Sequence, residues 1–196
     1  TLDVNWDDSA SPTNVEQVTF AAGVTSFTLT HQYLDDNPTA TGSDAHTIGL
    51  TLTDDDTGTD SDTATMTVNN VAPVLGSVAA TTINENGTTT LTGTITDPGT
   101  LDTFTLDVNW GDSASPNNVE QVTFTAGATS FTLTHQYLDD NTNTIGLTLT
   151  DDDTGAATAD TTVVVNNVLP TIDLSASPLT HNESGTTSYT LTLGAV

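Results

Sequence analysis

Hard oxygen donors are the one kind of chemistry this chain offers in quantity. Its 196 residues hold 26 Asp and Glu against four His and no Lys, Arg or Cys, for a formal charge of −26. The acids come in bunches. Asp54, Asp55 and Asp56, and again Asp151, Asp152 and Asp153, open a DDDTG segment; Asp35–Asp36 and Asp139–Asp140 each follow a Leu; Asp97 and Asp102 bracket a Pro-Gly turn. At physiological salt the screening length is about 8 Å, so bunched carboxylates repel one another unless they face water or a cation. Asp, Asn and backbone carbonyl oxygens are what Ca²⁺ takes, about six to eight at a time. A solvated acidic turn is the ordinary reading of any one bunch, so the choice depends on where the fold puts them.

Other chemistries are poorly supplied. Without Lys or Arg nothing neutralises phosphate, which argues against nucleic acid and against anionic membranes as partners. Without Cys there is no disulfide framework, thiolate site or cysteine nucleophile. No apolar run approaches the roughly 20 residues of a membrane span. DDDTG starts like an EF-hand loop, but Thr65 and Thr162 stand where the closing Glu belongs, so that motif is rejected. His31 and His135 accompany Tyr33 and Tyr137 at strand ends, where a hydrogen-bonded corner explains them better than a catalytic pair. Trp6 and Trp110 fall in phase with apolar strand positions and read as core residues, not sugar platforms. The segment is expected not to be an enzyme.

The elements that position the acids are repeated. Residues 1–37 match 105–141 with four differences, at positions 7, 13, 21 and 24, and TIGLTLTDDDTG (47–58) recurs unchanged at 144–155. VNNVAP (68–73) returns as VNNVLP (165–170), and LTHNESGTTSYTLTLGAV at the end of the chain resembles INENGTTTLTGTI (83–95). The divisions are then 1–73, a repeat lacking its first two strands; 74–170, a complete repeat; and 171–196, the first two strands of the next. The chain has no initiator Met and no leader pattern, and reads as a window on a longer array. Thr is the commonest residue, with 46 copies, and suits exposed strand positions.

In the complete repeat seven runs read as strands, at 75–83, 88–96, 104–110, 119–125, 129–135, 144–150 and 159–166. Phe104, Leu106, Val108 and Trp110 alternate with polar residues, as do Ile145, Leu147 and Leu149. Seven half-buried strands in about 100 residues predict an all-β, two-sheet antiparallel sandwich.

The residues Val-Asn-Trp-Gly-Asp (108–112), His-Gln-Tyr (135–137) and the closing Val-Asn-Asn-Val-Leu-Pro (165–170) resemble the polycystic-kidney-disease (PKD) repeat family. That resemblance implies tandem immunoglobulin-like sandwiches of the kind found as spacer or adhesion modules in extracellular and surface-attached microbial proteins. Ser113 stands where the family has the last Gly of WGDG, Asp7 replaces the counterpart of Gly111, and the family's Gly-x-Tyr entering the sixth strand is absent.

Alternating strand directions sort the loops between two poles. Asp97, Asp102 and the 151–153 triplet fall where the repeat begins; Glu85, Asp139 and Asp140 fall where it ends. At the joint between 1–73 and 74–170 the expected ligands are Asp35, Asp36, Asn69, Asn70, Asp97, Asp102, Asp151, Asp152 and Asp153, with Ca²⁺ as the cofactor that stiffens the joint. Glu85, Asp139 and Asp140 are the matching half-set at the far pole. Asn86-Gly87-Thr88 and Asn182-Glu183-Ser184 fit the N-glycosylation pattern, making Asn86 and Asn182 candidate acceptors. The function expected is that of a structural repeat in an extracellular fibre, stalk or adhesin. Its partners would be neighbouring copies of itself, head to tail, joined into a filament by β-strand complementation, with surface or matrix polysaccharide as a further target. The alternative is a carbohydrate-binding accessory module of a secreted hydrolase, which would need a row of exposed aromatic residues.

Overall fold

The computed structural model describes residues 1–37, 40–176, 183–186 and 189–194, and these form strands and turns with no helix. The complete repeat builds two sheets. One holds β5 (Val74–Ala80), β7 (Gly87–Thr96) and β10 (Ser130–Tyr137) in the order β10-β7-β5. The other holds β6 (Ile83–Asn84), β8 (Phe104–Asn109), β9 (Val119–Phe124), β11 (Asn141–Asp151) and β12 (Ala156–Asn166) in the order β6-β12-β11-β8-β9. This is an immunoglobulin-like sandwich, as its period-two patterning requires.

Alternation puts one face of each sheet inward. Leu91 and Ile95 from one sheet meet Leu106, Val108, Trp110, Ile145, Leu147, Leu149, Val163 and Val165 from the other, closed by Phe104, Phe131 and Tyr137. Threonines and acids fill most outward positions, so the charge stays in water. The expected first strand, 75–83, is in fact split. A bulge between Gly76 and Ala79, with Ser77 at φ 50°, ends its pairing to β7. The chain then crosses to the other sheet, where Ile83 and Asn84 pair in parallel with Val165 and Asn166. The bulge bends the edge strand, and the two sheets share the first strand.

The 1–73 segment forms a single sheet, β2-β1-β3-β4, from β1 (Leu2–Asn5), β2 (Val15–Val18), β3 (Ser43–Thr53) and β4 (Thr59–Asn69). These correspond to β8, β9, β11 and β12. Residues 26–33, whose counterparts lie in β10, take no strand structure. In the complete repeat β10 pairs only with β7, and 1–73 contains no equivalent of β7. A lone strand has no ladder to join.

At the other end β13 (Ile172–Ala176) and β14 (Tyr189–Leu193) form a two-stranded hairpin. Its pairing of Ile172 with Leu193 matches that of Leu75 with Ile95 in β5–β7.

Candidate metal centre at the joint between repeats

The loop acids from both units converge around the Asn-Asn linker. Asp35 and Asp36 follow Tyr33-Leu34 in the first unit. Asp97 and Asp102 stand in the β7–β8 loop, and Asp151, Asp152 and Asp153 at the β11–β12 turn. Three overlapping sets gather carboxylate oxygens within 4.8 Å: Asp35, Asp36 and Asp153; Asp97, Asp102 and Asp151; Asp102, Asp152 and Asp153. That spread suits oxygens shared by one Ca²⁺, whose bonds of about 2.4 Å set opposite ligands about 5 Å apart.

Local geometry fixes one oxygen of several acids and leaves another bare. Gly99 N–H donates to Asp97 Oδ1 at 2.8 Å, Gly155 N–H to Asp151 Oδ1 at 2.6 Å, and Thr103 N–H to Asp152 Oδ1 at 2.7 Å. Asn37 Nδ2 donates to Asp35 Oδ2 at 2.5 Å. Asn70 Nδ2 reaches across the joint to Asp151 Oδ2 at 2.9 Å. Four buried carboxylate oxygens have no donor: Asp35 Oδ1, Asp36 Oδ2, Asp97 Oδ2 and Asp102 Oδ2. Asp36 and Asp102 are almost wholly buried, at 3% and 2% exposure. A buried acceptor without a partner costs about 1–3 kcal/mol, more when charged. These oxygens therefore call for protons or a cation.

Electrostatics agrees. Burial, then the neighbouring carboxylates Asp97, Asp35, Asp152 and Asp151, push Asp102 up to about 7. Burial, then the hydrogen bond and charge of Asp36, push Asp153 to about 7. Asp35 and Asp97 are raised too, chiefly by burial. A divalent ion would reverse the effect by favouring the charged forms.

Of the expected ligands, Asp35, Asp36, Asn70, Asp97, Asp102 and the 151–153 triplet lie together. Asn69 is at the end of β4 beside them and is exposed. Glu85, Asp139 and Asp140 gather at the far pole, but both aspartates are exposed and Glu85 Oε1 already accepts the Val168 N–H at 2.5 Å. Asn86 sits in an exposed turn at φ 61°, its side-chain oxygen bonded to Gln136. Asn182 lies outside the described residues.

Two residues of the joint are not obvious from their types. A Cβ on Gly99 would lie 2.4 Å from Asp102 Oδ2, and one on Gly155 2.4 Å from Asp151 Oδ2 and 2.8 Å from Ala72 Cα. Only glycine lets these loops close on their own carboxylates. The signal available was their place beside Pro98 and Thr154 in turn sequences.

The histidines form corners. His135 Nε2 lies 3.1 Å from Asp112 Oδ2, its ring stacks 4.9 Å from Trp110, and Tyr137 OH donates to Trp110 O at 2.7 Å. His31, Asp8, Trp6 and Tyr33 repeat the arrangement. With the His–carboxylate contacts turned onto a buried Trp, the corner holds structure.

No protein-family model and no curated protein matches the chain. Among solved structures it is similar to the PKD domain of an M14-like peptidase from a Thermoplasmatales archaeon, at 19% identity and TM-score 0.40, over 48% of this chain and 93% of that one. It is similar to fibronectin(III)-like modules of Clostridium thermocellum CbhA at 12% identity and TM-score 0.37, over 94% of this chain and 83% of that one. A third likeness, at 18% identity and TM-score 0.47, is to a tetra-tandem repeat in the extending region of a large adhesion protein; it covers 98% of this chain and 55% of that one.

Proposed function

We propose that the chain is a spacer segment of an extracellular or cell-surface fibre, stalk or adhesin, with Ca²⁺ closing the joint between its repeats. The observation that carries this is the set of four buried, donor-less carboxylate oxygens contributed from both sides of the joint. Seven carboxylates crowd it, so without a cation their charges repel one another across the joint. A bound cation would link Asp35 and Asp36 of one unit to Asp153 of the next, turning a hinge into a strut.

The setting follows from the chemistry. Extracellular modules bind Ca²⁺ at about 10⁻⁴–10⁻³ M, and a cluster of this kind is saturated where calcium is that abundant. Near-identical neighbouring units serve extension better than recognition of varied ligands. The large aromatic side chains of the complete repeat, Trp110, Phe104, Phe131 and Tyr137, lie in its core, which favours a spacer over a polysaccharide-binding face. The role proposed is mechanical and not enzymatic.

Calorimetric titration of the chain with Ca²⁺, with thermal melting and small-angle scattering in calcium and in chelator, tests the reading. Expected are saturable binding, a higher melting temperature and a longer, narrower distribution of lengths. No binding, with melting and length unchanged by chelator, would refute it.

A further inference from the structure

The seven carboxylates at the joint do not form one cage. The ligand oxygens of a single Ca²⁺ lie within about 5 Å of one another. Among the described residues, no set within 4.8 Å joins Asp35 or Asp36 to Asp97, Asp102 or Asp151. Two of the three sets have no residue in common. Asp97, Asp102 and Asp151 all belong to the complete repeat, where they bring the β7–β8 loop against the β11–β12 turn. Asp35 and Asp36 come from the first unit and meet Asp153 of the second. The remaining set, Asp102, Asp152 and Asp153, takes one member from each of these and lies between them.

The unsatisfied groups divide in the same way. Asp97 Oδ2 and Asp102 Oδ2 are the donor-less oxygens of the inner set, and Asp35 Oδ1 and Asp36 Oδ2 those of the outer. Each set thus has its own acid more than nine-tenths buried with an oxygen that no donor reaches, Asp102 in the inner and Asp36 in the outer. Both acids line one cavity of about 100 Å³, which Asn70 and Gly99 help to enclose. At about 30 Å³ per water, it has room for cations with some of their waters. Those waters would add to the three carboxylates of each set, since Ca²⁺ takes about six to eight oxygens.

We propose that the joint takes two Ca²⁺ ions with separate duties: an inner ion held by Asp97, Asp102 and Asp151 of one repeat, and an outer ion held by Asp35, Asp36 and Asp153 of two. The proposal rests on the calcium reading above and divides its effects between the ions. The inner ion ties two loops of the same sandwich together, so it raises the stability of that repeat by binding its folded form. The outer ion alone spans the two units, so it alone stiffens the joint.

The order of filling follows from what is already in place. The Gly99 and Gly155 N–H groups fix Asp97 and Asp151 from within the repeat, so the inner ligands are preorganised. The outer ion must also hold two units in one orientation, and that ordering subtracts from its affinity. The inner site therefore fills at lower calcium. As calcium rises, the repeat is stabilised first and the joint stiffens after it.

The test uses the full chain and Ca²⁺ alone. Asp97→Ala removes a ligand of the inner set only, and Asp35→Ala one of the outer set only; both acids are half-buried. Asp36→Asn is a second outer variant that keeps the shape of the side chain, and melting in chelator checks that all three fold. Calorimetry, thermal melting and small-angle scattering follow one calcium series. In the parent the melting temperature should rise with a midpoint at lower calcium than the increase in length. Asp35→Ala should bind one ion fewer than the parent, lose the lengthening and keep most of the rise in melting temperature, and Asp36→Asn should do the same or weaken the outer ion at least tenfold. Asp97→Ala should also bind one ion fewer, but lose most of that rise and still lengthen. If inner and outer variants lose both effects together, or the parent shows one midpoint for both, a single shared ion holds the joint. That result overturns the two-ion inference and keeps the calcium reading; a parent that binds no calcium overturns both.

Discussion

Residues 1–37 and 105–141 are nearly the same sequence with two different structures. In the second, residues 130–137 are a paired strand with Phe131 in the core; in the first, residues 26–33 are irregular and Phe27 is half exposed. None of the four differing positions lies in that stretch. The difference is the pairing: β7 pairs with one, and among the described residues no strand pairs with the other. Strand formation here is a property of the pair, and local propensity is permissive only.

The comparison can be broken most directly at the two phenylalanines. Phe131→Ala should destabilise the complete repeat by about 3–5 kcal/mol, the usual cost of emptying an aromatic site in a packed core. Phe27→Ala should cost the isolated chain under about 0.5 kcal/mol, as for an exposed residue. Urea unfolding monitored by tryptophan fluorescence reads both. Equal costs would show that 26–33 is packed in solution after all.

The second contrast sets the joint against ordinary acidic loops. Asp102 and Asp153, raised to about 7, hold protons in the folded state that the unfolded chain has released. Between about pH 4 and about pH 7 the folded form binds more protons, so metal-free stability falls as pH rises through that window. The loss is bounded at about 4 kcal/mol for each carboxyl, less because neighbouring acids share the protons, and is seen as a falling melting temperature in chelator. Asp102→Asn should flatten the profile and also weaken calcium binding. A chain that grows more stable from pH 4 to 7 in chelator would contradict the crowded-carboxylate account.

Much of this was legible in the sequence, for identifiable reasons. Period-two alternation in β8, β10 and β11 marks one buried face wherever a second sheet exists to bury it. The internal repeat placed the acids at two poles, because strand direction alternates and loops follow it. What the sequence could not convey was pairing. The bulge at Ser77 that splits the first strand arises from a register shift between strands, and no residue type there announces it. Neither did anything in residues 26–33 distinguish them from 130–137. The roles of Gly99 and Gly155 were hidden for a similar reason, since a glycine in a turn is commonplace until the atom facing its Cα is known.

Those glycines give a third test. In Gly155→Ala the new Cβ meets both Asp151 and the Ala72 backbone of the linker; in Gly58→Ala, the same DDDTG position in the first unit, it meets only its own Asp54. Neither glycine is at positive φ, so contact alone separates them. Gly155→Ala should cost about 1–3 kcal/mol and lower calcium affinity about tenfold, equivalent to about 1.4 kcal/mol. Gly58→Ala should be near neutral in stability and leave affinity unchanged. Equal effects would mean that the linker does not press on the β11–β12 turn.

The smallest expected difference lies at the corners. Tyr137 and Tyr33 make the same hydrogen bond, to the carbonyls of Trp110 and Trp6, each at 2.7 Å. Tyr137 is fully buried and its hydroxyl is pushed up to about 12 by burial and by Asp112, while Tyr33 is only partly covered. Tyr137→Phe strands a buried carbonyl with no water to replace the donor and should cost about 1–2 kcal/mol. At Tyr33 water can take over, so Tyr33→Phe should cost a few tenths in the single chain. Urea unfolding of both variants reads the difference, and equal costs would show that water reaches the two carbonyls alike.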